Sequence, residues 1–331
     1  MKYLFVLVFA TFAYGDDCIK VKAAFDIGSG TTKMKVGRVN TCLQKIEKIL
    51  LEANEPVAYK EKLQNHPKNL LGEDIQQDGL NALLKLKKMA QAYSPVSYQA
   101  VATSAFRTAD NGEVVAKKLA IDSGIDIDVI SQKEEALLGF AAAVSKSNKE
   151  VSQVLVWDIG GGSMQMTSYN KLGKFDIYEG KIASASFKKL IIKNVQKHDP
   201  KEVKTPNPIS KLDYQTSKNA AKAYAQTTVP KTIKEKIQSG AQVLGIGGVH
   251  YYSVRGQTKV ESKYDHSTLE STISSKLAKH DADIGGDYAS TDVSNLILVK
   301  SYMEALNIKE VEAFRINLAD GVLLSGKSLI K

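Results

Sequence analysis

The sequence predicts a two-domain α/β protein in which one strand-turn-strand motif is used twice. Phe25-Asp26-Ile27-Gly28 and Trp157-Asp158-Ile159-Gly160 match in kind at every position, once in each half of the chain. Each leads into a glycine turn, and the residues beyond it alternate (Thr32, Met34, Val36 in one copy; Met164, Met166 in the other) as a returning strand does and a helix does not. A chain of 331 residues with 43% hydrophobic content is also long enough to bury the cores of two domains.

Taken in order, Met1 to Gly15 has the marks of a signal peptide: Lys2, an apolar run over 3–12, and Ala13-Tyr14-Gly15 as a small-x-small cleavage site. The segment is too short to span a bilayer. The expectation is an exported protein, periplasmic or secreted, with a first domain over 20–147 and a second over 151–331. Apolar alternation places strands at about 21–27, 33–39 and 46–51. A helix over about 73–92 carries Leu83, Leu86, Ala90 and Tyr93 on one face. A strand at 98–103, a helix at 112–123 closed by Gly124, a strand at 125–130 and a helix at 132–145 complete the first copy. The second copy repeats three strands, at 154–158, 163–169 and 175–178, followed by a helix over 185–197. The proline-rich stretch 199–208 reads as a loop. Mostly helical segments follow, interrupted by strands at 242–246 and 311–315.

Glycine turns let backbone N–H groups approach an anion closely. Gly28, Ser29, Gly30, Thr31 and Thr32 in the first copy, with Gly160, Gly161, Gly162 and Ser163 in the second, are therefore the expected phosphate ligands, the hydroxyls adding donors. Asp26 and Asp158, at the strand ends, can hold Mg²⁺ or another divalent cation through its waters. A dinucleotide site or a P-loop needs its glycines to open a helix, which disfavours both. The net charge of +9 suits an anionic ligand, whereas no nucleic-acid-binding motif is present. No later apolar run is long enough to cross a membrane, and the sequence leaves a homodimer open. The five histidines lack metal-ligand spacing; His250, beside Gly247-Gly248, is the one near a candidate site.

Four segments carry a family resemblance: Asp26-Ile27-Gly28-Ser29, Ala102-Thr103-Ser104-Ala105-Phe106-Arg107, Ile130-Ser131-Gln132-Lys133-Glu134-Glu135-Ala136 and Asp158-Ile159-Gly160-Gly161-Gly162-Ser163. In order and spacing they resemble the exopolyphosphatase and guanosine-pentaphosphate phosphohydrolase (Ppx/GppA) family of the actin-like ATPase superfamily. The resemblance implies a duplicated actin-like (ribonuclease H-like) fold, an active site in the cleft between two domains, and Arg107 as a phosphate contact. The chain departs from the family at Ser29-Gly30-Thr31-Thr32-Lys33, which is closer to the first phosphate loop of actin, whose lysine contacts phosphates. It departs again at Gln132 and at Met164-Gln165, the glutamine being similar to that of ecto-apyrases.

Glu134 and Glu135 both sit at the start of a helix and are the candidate catalytic carboxylates. Ser131-Gln132-Lys133-Glu134 is a capping box, which occupies Glu134. Glu135 has no such task, and its spacing to Asp158 fits the catalytic glutamate of the family, so it is the expected general base. The implied activity is Mg²⁺-dependent hydrolysis of phosphoanhydrides, with inorganic polyphosphate as the first substrate and Lys-rich segments such as 181–204 lining its path. The rivals are an apyrase acting on nucleotide phosphates, a guanosine-pentaphosphate phosphohydrolase, and a binding protein that has lost turnover. A disulfide between Cys18 and Cys42 is also expected: in a hairpin turning over 26–33, residues whose numbers sum to about 60 face each other.

Overall fold

The computed structural model describes residues 18–325, and the expected signal peptide lies outside them. The first half runs β1 (Ile19–Ile27), β2 (Thr31–Asn40), β3 (Lys45–Pro56), α1 (Tyr59–Asn65), α2 (Glu73–Gln91), β4 (Tyr98–Ala102), α3 (Ser104–Thr108), α4 (Gly112–Ser123), β5 (Asp126–Val129) and α5 (Gln132–Ser147). Its sheet has the order β3-β2-β1-β4-β5, an antiparallel meander joined through β1 to two parallel strands. The second half runs β6 (Val154–Ile159), β7 (Met164–Tyr169), β8 (Phe175–Gly180), α6 (Ser184–Leu190), α7 (Lys211–Thr228), α8 (Lys231–Gln238), β9 (Gln242–Ile246), α9 (Gly256–Thr258), β10 (Lys263–Asp265), α10 (His266–Lys276), α11 (Asp281–Ile284), α12 (Ala289–Leu306), β11 (Glu310–Ala313) and α13 (Leu318–Ser325). In its order β10-β11-β9-β6-β7-β8, strands β8 to β6 repeat the meander and β9 and β11 the parallel pair, with β10 added at the edge.

Period-two alternation gives each sheet two buried faces. Phe25 and Ile27 join one core with α2 and α4, while Ala24 points to the opposite face. Trp157 and Ile159 join the core of the second half, and Val156 faces the other way. Helix α5 serves both inner faces: Leu138 packs with Ala24, Val101 and Ile130, whereas Phe140, Ala142 and Ala143 pack with Val154, Val156 and Leu244. Helix α13, placed by its position in the chain with the second domain, packs on the first sheet through Leu318, Ala319, Val322 and Leu323. A Cβ at Gly321 would lie 2.6 Å from the Leu138 carbonyl oxygen, so glycine sets the close crossing of α13 over α5. Beside that crossing the Lys35 ammonium meets the Asp320 carboxylate at 2.7 Å, both side chains buried.

The β1–β2 register differs from expectation by one residue: Asp26 faces Lys33 and Ile27 faces Thr32. A one-residue slip exchanges the faces of a strand. Lys33 therefore stands on the inner face opposite Asp26, and Thr32 falls on the outer face with Met34. At the open end the Thr41 N–H donates to the Cys18 carbonyl at 2.8 Å, and Cys18 and Cys42 form a disulfide with their Cα atoms 5.5 Å apart. Thiol labelling of the denatured, unreduced protein is expected to find no free cysteine, and two labelled thiols would refute the bond. Reduction is expected to cost ~3 kcal/mol, given a closed loop of this size.

Candidate active site

Strands β1 and β6 end on Asp26 and Asp158, and the same local closure follows each. The Gly28 N–H donates to the Thr31 carbonyl at 3.1 Å, and the Gly160 N–H to the Ser163 carbonyl at 2.9 Å. The two loops face each other, since a Cβ at Gly162 would lie 2.6 Å from Ser29 Oγ and 2.8 Å from Ser104 Oγ. Ser104 Oγ, from the short α3, donates to the Gly162 carbonyl at 3.3 Å. The third turn, Gly247-Gly248, closes over Asp158: Gly247 has φ +83°, and a Cβ there would stand 2.3 Å from Asp158 Oδ1.

The first turn of α5 separates its two glutamates. Glu134 Oε2 accepts from the Ser131 N–H at 2.7 Å, and the Glu134 N–H donates to Ser131 Oγ at 3.2 Å, which completes the capping box. Glu135, one residue on, is buried. Its Oε1 accepts from Ser163 Oγ at 2.8 Å and its Oε2 from Arg107 Nη2 at 3.0 Å. Arg107 is itself fixed by donating from Nη1 to the Ile130 carbonyl at 2.8 Å. The motif after β4, the motif opening α5 and the second glycine loop thus converge on one carboxylate.

Burial pushes the Glu135 pKa up, against the opposing pull of Arg107 and the Ser163 hydroxyl. Burial, followed by repulsion from Glu135, pushes Asp158 up to about 7, with Lys33 opposing the rise. Lys33 Nζ lies 3.3 Å from Asp26 Oδ2, and that carboxylate holds the Lys33 pKa above its ordinary value. Three carboxylates therefore share a low-dielectric space with two cations. Among the described residues the Asp158 carboxylate has no hydrogen-bond or ion-pair partner, and no three acidic, histidine or cysteine side chains make a metal cage. Two carboxylates and otherwise water is the donor set that Mg²⁺ takes when substrate phosphates complete its shell, so Asp26 and Asp158 fit such an ion.

Not every expected ligand lies here. Thr32 is fully buried on the core side, its hydroxyl turned toward Tyr59. His250 is fully buried against Trp157, with Nδ1 hydrogen-bonded to the Tyr264 hydroxyl; burial depresses its pKa to about 3, so it is a neutral core residue. Gln132 bridges α5 to the second sheet, donating to the carbonyls of Met164 and Gly180 at 3.0 and 3.1 Å. Gln165 pairs directly across from Asp158, is 1% exposed, and has an amide without a partner among the described residues. Its place in the repeated motif, facing the aspartate, was the available signal. A wide cleft of about 520 Å³ opens between residues 55–58 and α2, but it meets the glycine loops only at Gly30, and its charged lining of Glu55, Asp78, Lys62 and Lys85 has no excess of cations for phosphate.

Residues 44–186 match the model of the Ppx/GppA phosphatase family. A bifunctional 3-dehydroquinate synthase/phosphatase of Fusobacterium nucleatum is 27% identical over 167 residues, 46% of this chain and 24% of that protein. Exopolyphosphatase 1 of Mycobacterium tuberculosis is 28% identical over 89 residues, 27% of this chain and 26% of that protein. The chain thus spans about a quarter of the length of these curated relatives. The crystal structure of the Aquifex aeolicus member of the Ppx/GppA family superposes with a TM-score of 0.72 at 18% identity, covering 93% of this chain and 97% of that one. Over residues 44–186 the chain is thus similar in sequence to the Ppx/GppA phosphatase family, and over nearly its whole length it shares the two-domain α/β fold of the Aquifex aeolicus member.

Proposed function

We propose that the protein is a divalent-cation-dependent phosphoanhydride hydrolase that releases the terminal phosphate of inorganic polyphosphate. The observation that carries this reading is the buried Glu135 carboxylate, held by Ser163 and Arg107 where the two glycine loops meet. The backbone N–H groups of residues 29–30 and 161–162 grip successive phosphates from opposite sides. Arg107 neutralises non-bridging oxygens with its planar fork of donors. Glu135 takes a proton from water as the water oxygen attacks the terminal phosphorus. The anhydride P–O bond breaks, and the shortened chain leaves with the bridging oxygen. An elevated pKa suits this task, because a general base works best when its pKa lies near the working pH. A cation held through Asp26 and Asp158 supplies charge neutralisation of the phosphates. Export is part of the proposal and rests on the N-terminal sequence.

One crevice beside the site favours polyphosphate over nucleotides, being too small for a base. The crevice next to the site, lined by Lys33, Gly247, Tyr251, Tyr252 and Arg315, has space of about 10 Å³, enough for no more than a water. Phosphate release from long-chain polyphosphate, ATP and GTP, with and without Mg²⁺ and at low and high salt, tests the reading. Polyphosphate is expected to be cleaved best, only with the cation, and with an efficiency that falls as salt rises. An ATP preference insensitive to salt would point to an apyrase, and no release from any substrate to a binding protein.

A further inference from the structure

Lys33 and Lys35 stand on the same face of β2, and each meets an aspartate. They differ in how tightly they are held. The Lys35 ammonium lies 2.7 Å from Asp320, with the two side chains 2% and 5% exposed. The Lys33 ammonium lies 3.3 Å from Asp26, and its own side chain is 30% exposed. Water therefore reaches Lys33, and its flexible stem can swing the charge off Asp26 without leaving it desolvated. Lys35 has no such freedom.

Among the described residues, Lys33 supplies the side-chain hydrogen bond and ion pair of Asp26. Asp158 attracts the same ammonium from beyond ion-pair distance. Arg107, the other cation of the site, is committed to Glu135 and to the Ile130 carbonyl. One cation thus stands on a carboxylate that fits a metal ion. An ammonium and a divalent ion that share one carboxylate repel each other at short range, so each weakens the other there. Phosphate oxygens change the balance, because they offer the ammonium a second anionic partner.

We propose that Lys33 is a resident counter-ion at Asp26: it holds the place of the divalent cation in the free protein and yields it when phosphates enter. The proposal rests on the cation-dependent reading and deepens it by setting an order of assembly. The protein takes up the cation together with the phosphates, as a complex, in preference to the bare ion. By linkage, the more Lys33 weakens binding of the bare ion, the larger the cooperativity between ion and phosphate.

The test is calorimetric titration of wild type, Lys33→Met and Lys33→Arg with Mn²⁺ alone, and with the Mn²⁺ complex of a methylene-bridged triphosphate that resists cleavage. Lys33→Met is expected to bind bare Mn²⁺ about tenfold more tightly than wild type, because the competing charge is gone. The same variant is expected to bind the complex a few-fold more weakly, because the phosphates lose an ammonium partner. A distorted site would lose affinity for both, so shifts of opposite sign separate this role from a structural one. Lys33→Arg keeps the charge and is expected to bind bare Mn²⁺ as weakly as wild type. Equal affinity of wild type and Lys33→Met for bare Mn²⁺, or weaker binding of both ligands by Lys33→Met, would overturn the counter-ion role while leaving the proposed chemistry standing. A wild type that releases no phosphate from any substrate, with the opposite shifts intact, refutes the hydrolase and keeps the counter-ion.

Discussion

Glu135→Gln is expected to lower turnover by about a hundredfold or more while leaving substrate affinity within a few-fold. The amide has the size of the carboxylate, and its oxygen can still accept from Arg107 Nη2. It cannot accept a proton from water, which is the step assigned to Glu135. Stability is not expected to suffer, because burial already disfavours the charged form at this position. Glu134→Gln is the matched control: an amide oxygen can still accept from the Ser131 N–H, so activity is expected near wild type. Single-turnover rates and equilibrium binding, measured on both variants, separate chemistry from affinity. If Glu134→Gln were the inactive variant and Glu135→Gln active, the assignment would be reversed.

Asp320→Asn is expected to destabilise the fold by ~3–5 kcal/mol, because it leaves the Lys35 ammonium buried without its counter-charge. The two side chains are 2% and 5% exposed, so water cannot replace the lost partner. Asp320 Oδ2 also accepts from the Asn317 N–H at 2.9 Å, a bond that the amide oxygen can keep. The predicted loss therefore belongs to the charge. Replacing both residues with apolar ones of similar volume, Lys35→Met with Asp320→Leu, is expected to recover most of the stability, since neither desolvated ion remains. Denaturant midpoints of the three proteins decide the matter. A loss below ~1 kcal/mol in Asp320→Asn would mean that Lys35 has another partner in solution.

What could be read from the sequence was what local chemistry encodes. Asp26, Asp158 and the glycine turns are contiguous motifs, and the capping box at Ser131 distinguishes Glu134 from Glu135 within the sequence itself. The hairpin register was harder: a difference of one residue decided whether Lys33 or Thr32 turned toward Asp26, and a turn of small polar residues does not set that by itself. Helix α1 lies in a polar stretch whose two buried residues, Tyr59 and Leu63, are too few to establish a helical period. The destination of α13 was not legible, because an apolar helix does not name the sheet that it will cover. Gln165 was visible only as a departure from a pattern, and its buried amide became apparent once β7 was paired with β6.

The return of α13 to the first sheet also fixes the order in which this chain can mature on the ribosome. Lys35 and Asp320 are 285 residues apart, and Ala24 and Val101, partly covered by Leu138 of α5, are sealed only when Leu318 to Leu323 arrive. The N-terminal half therefore leaves the exit tunnel with one face of its sheet unsealed, and it waits there while the whole second half is synthesised. Closing so long a loop is slow, and an apolar sheet face left open for that time invites association with other chains. Lys35 puts a charge on that face until Asp320 arrives to pair with it. When the last helix docks, the same lysine becomes the lock that the helix closes.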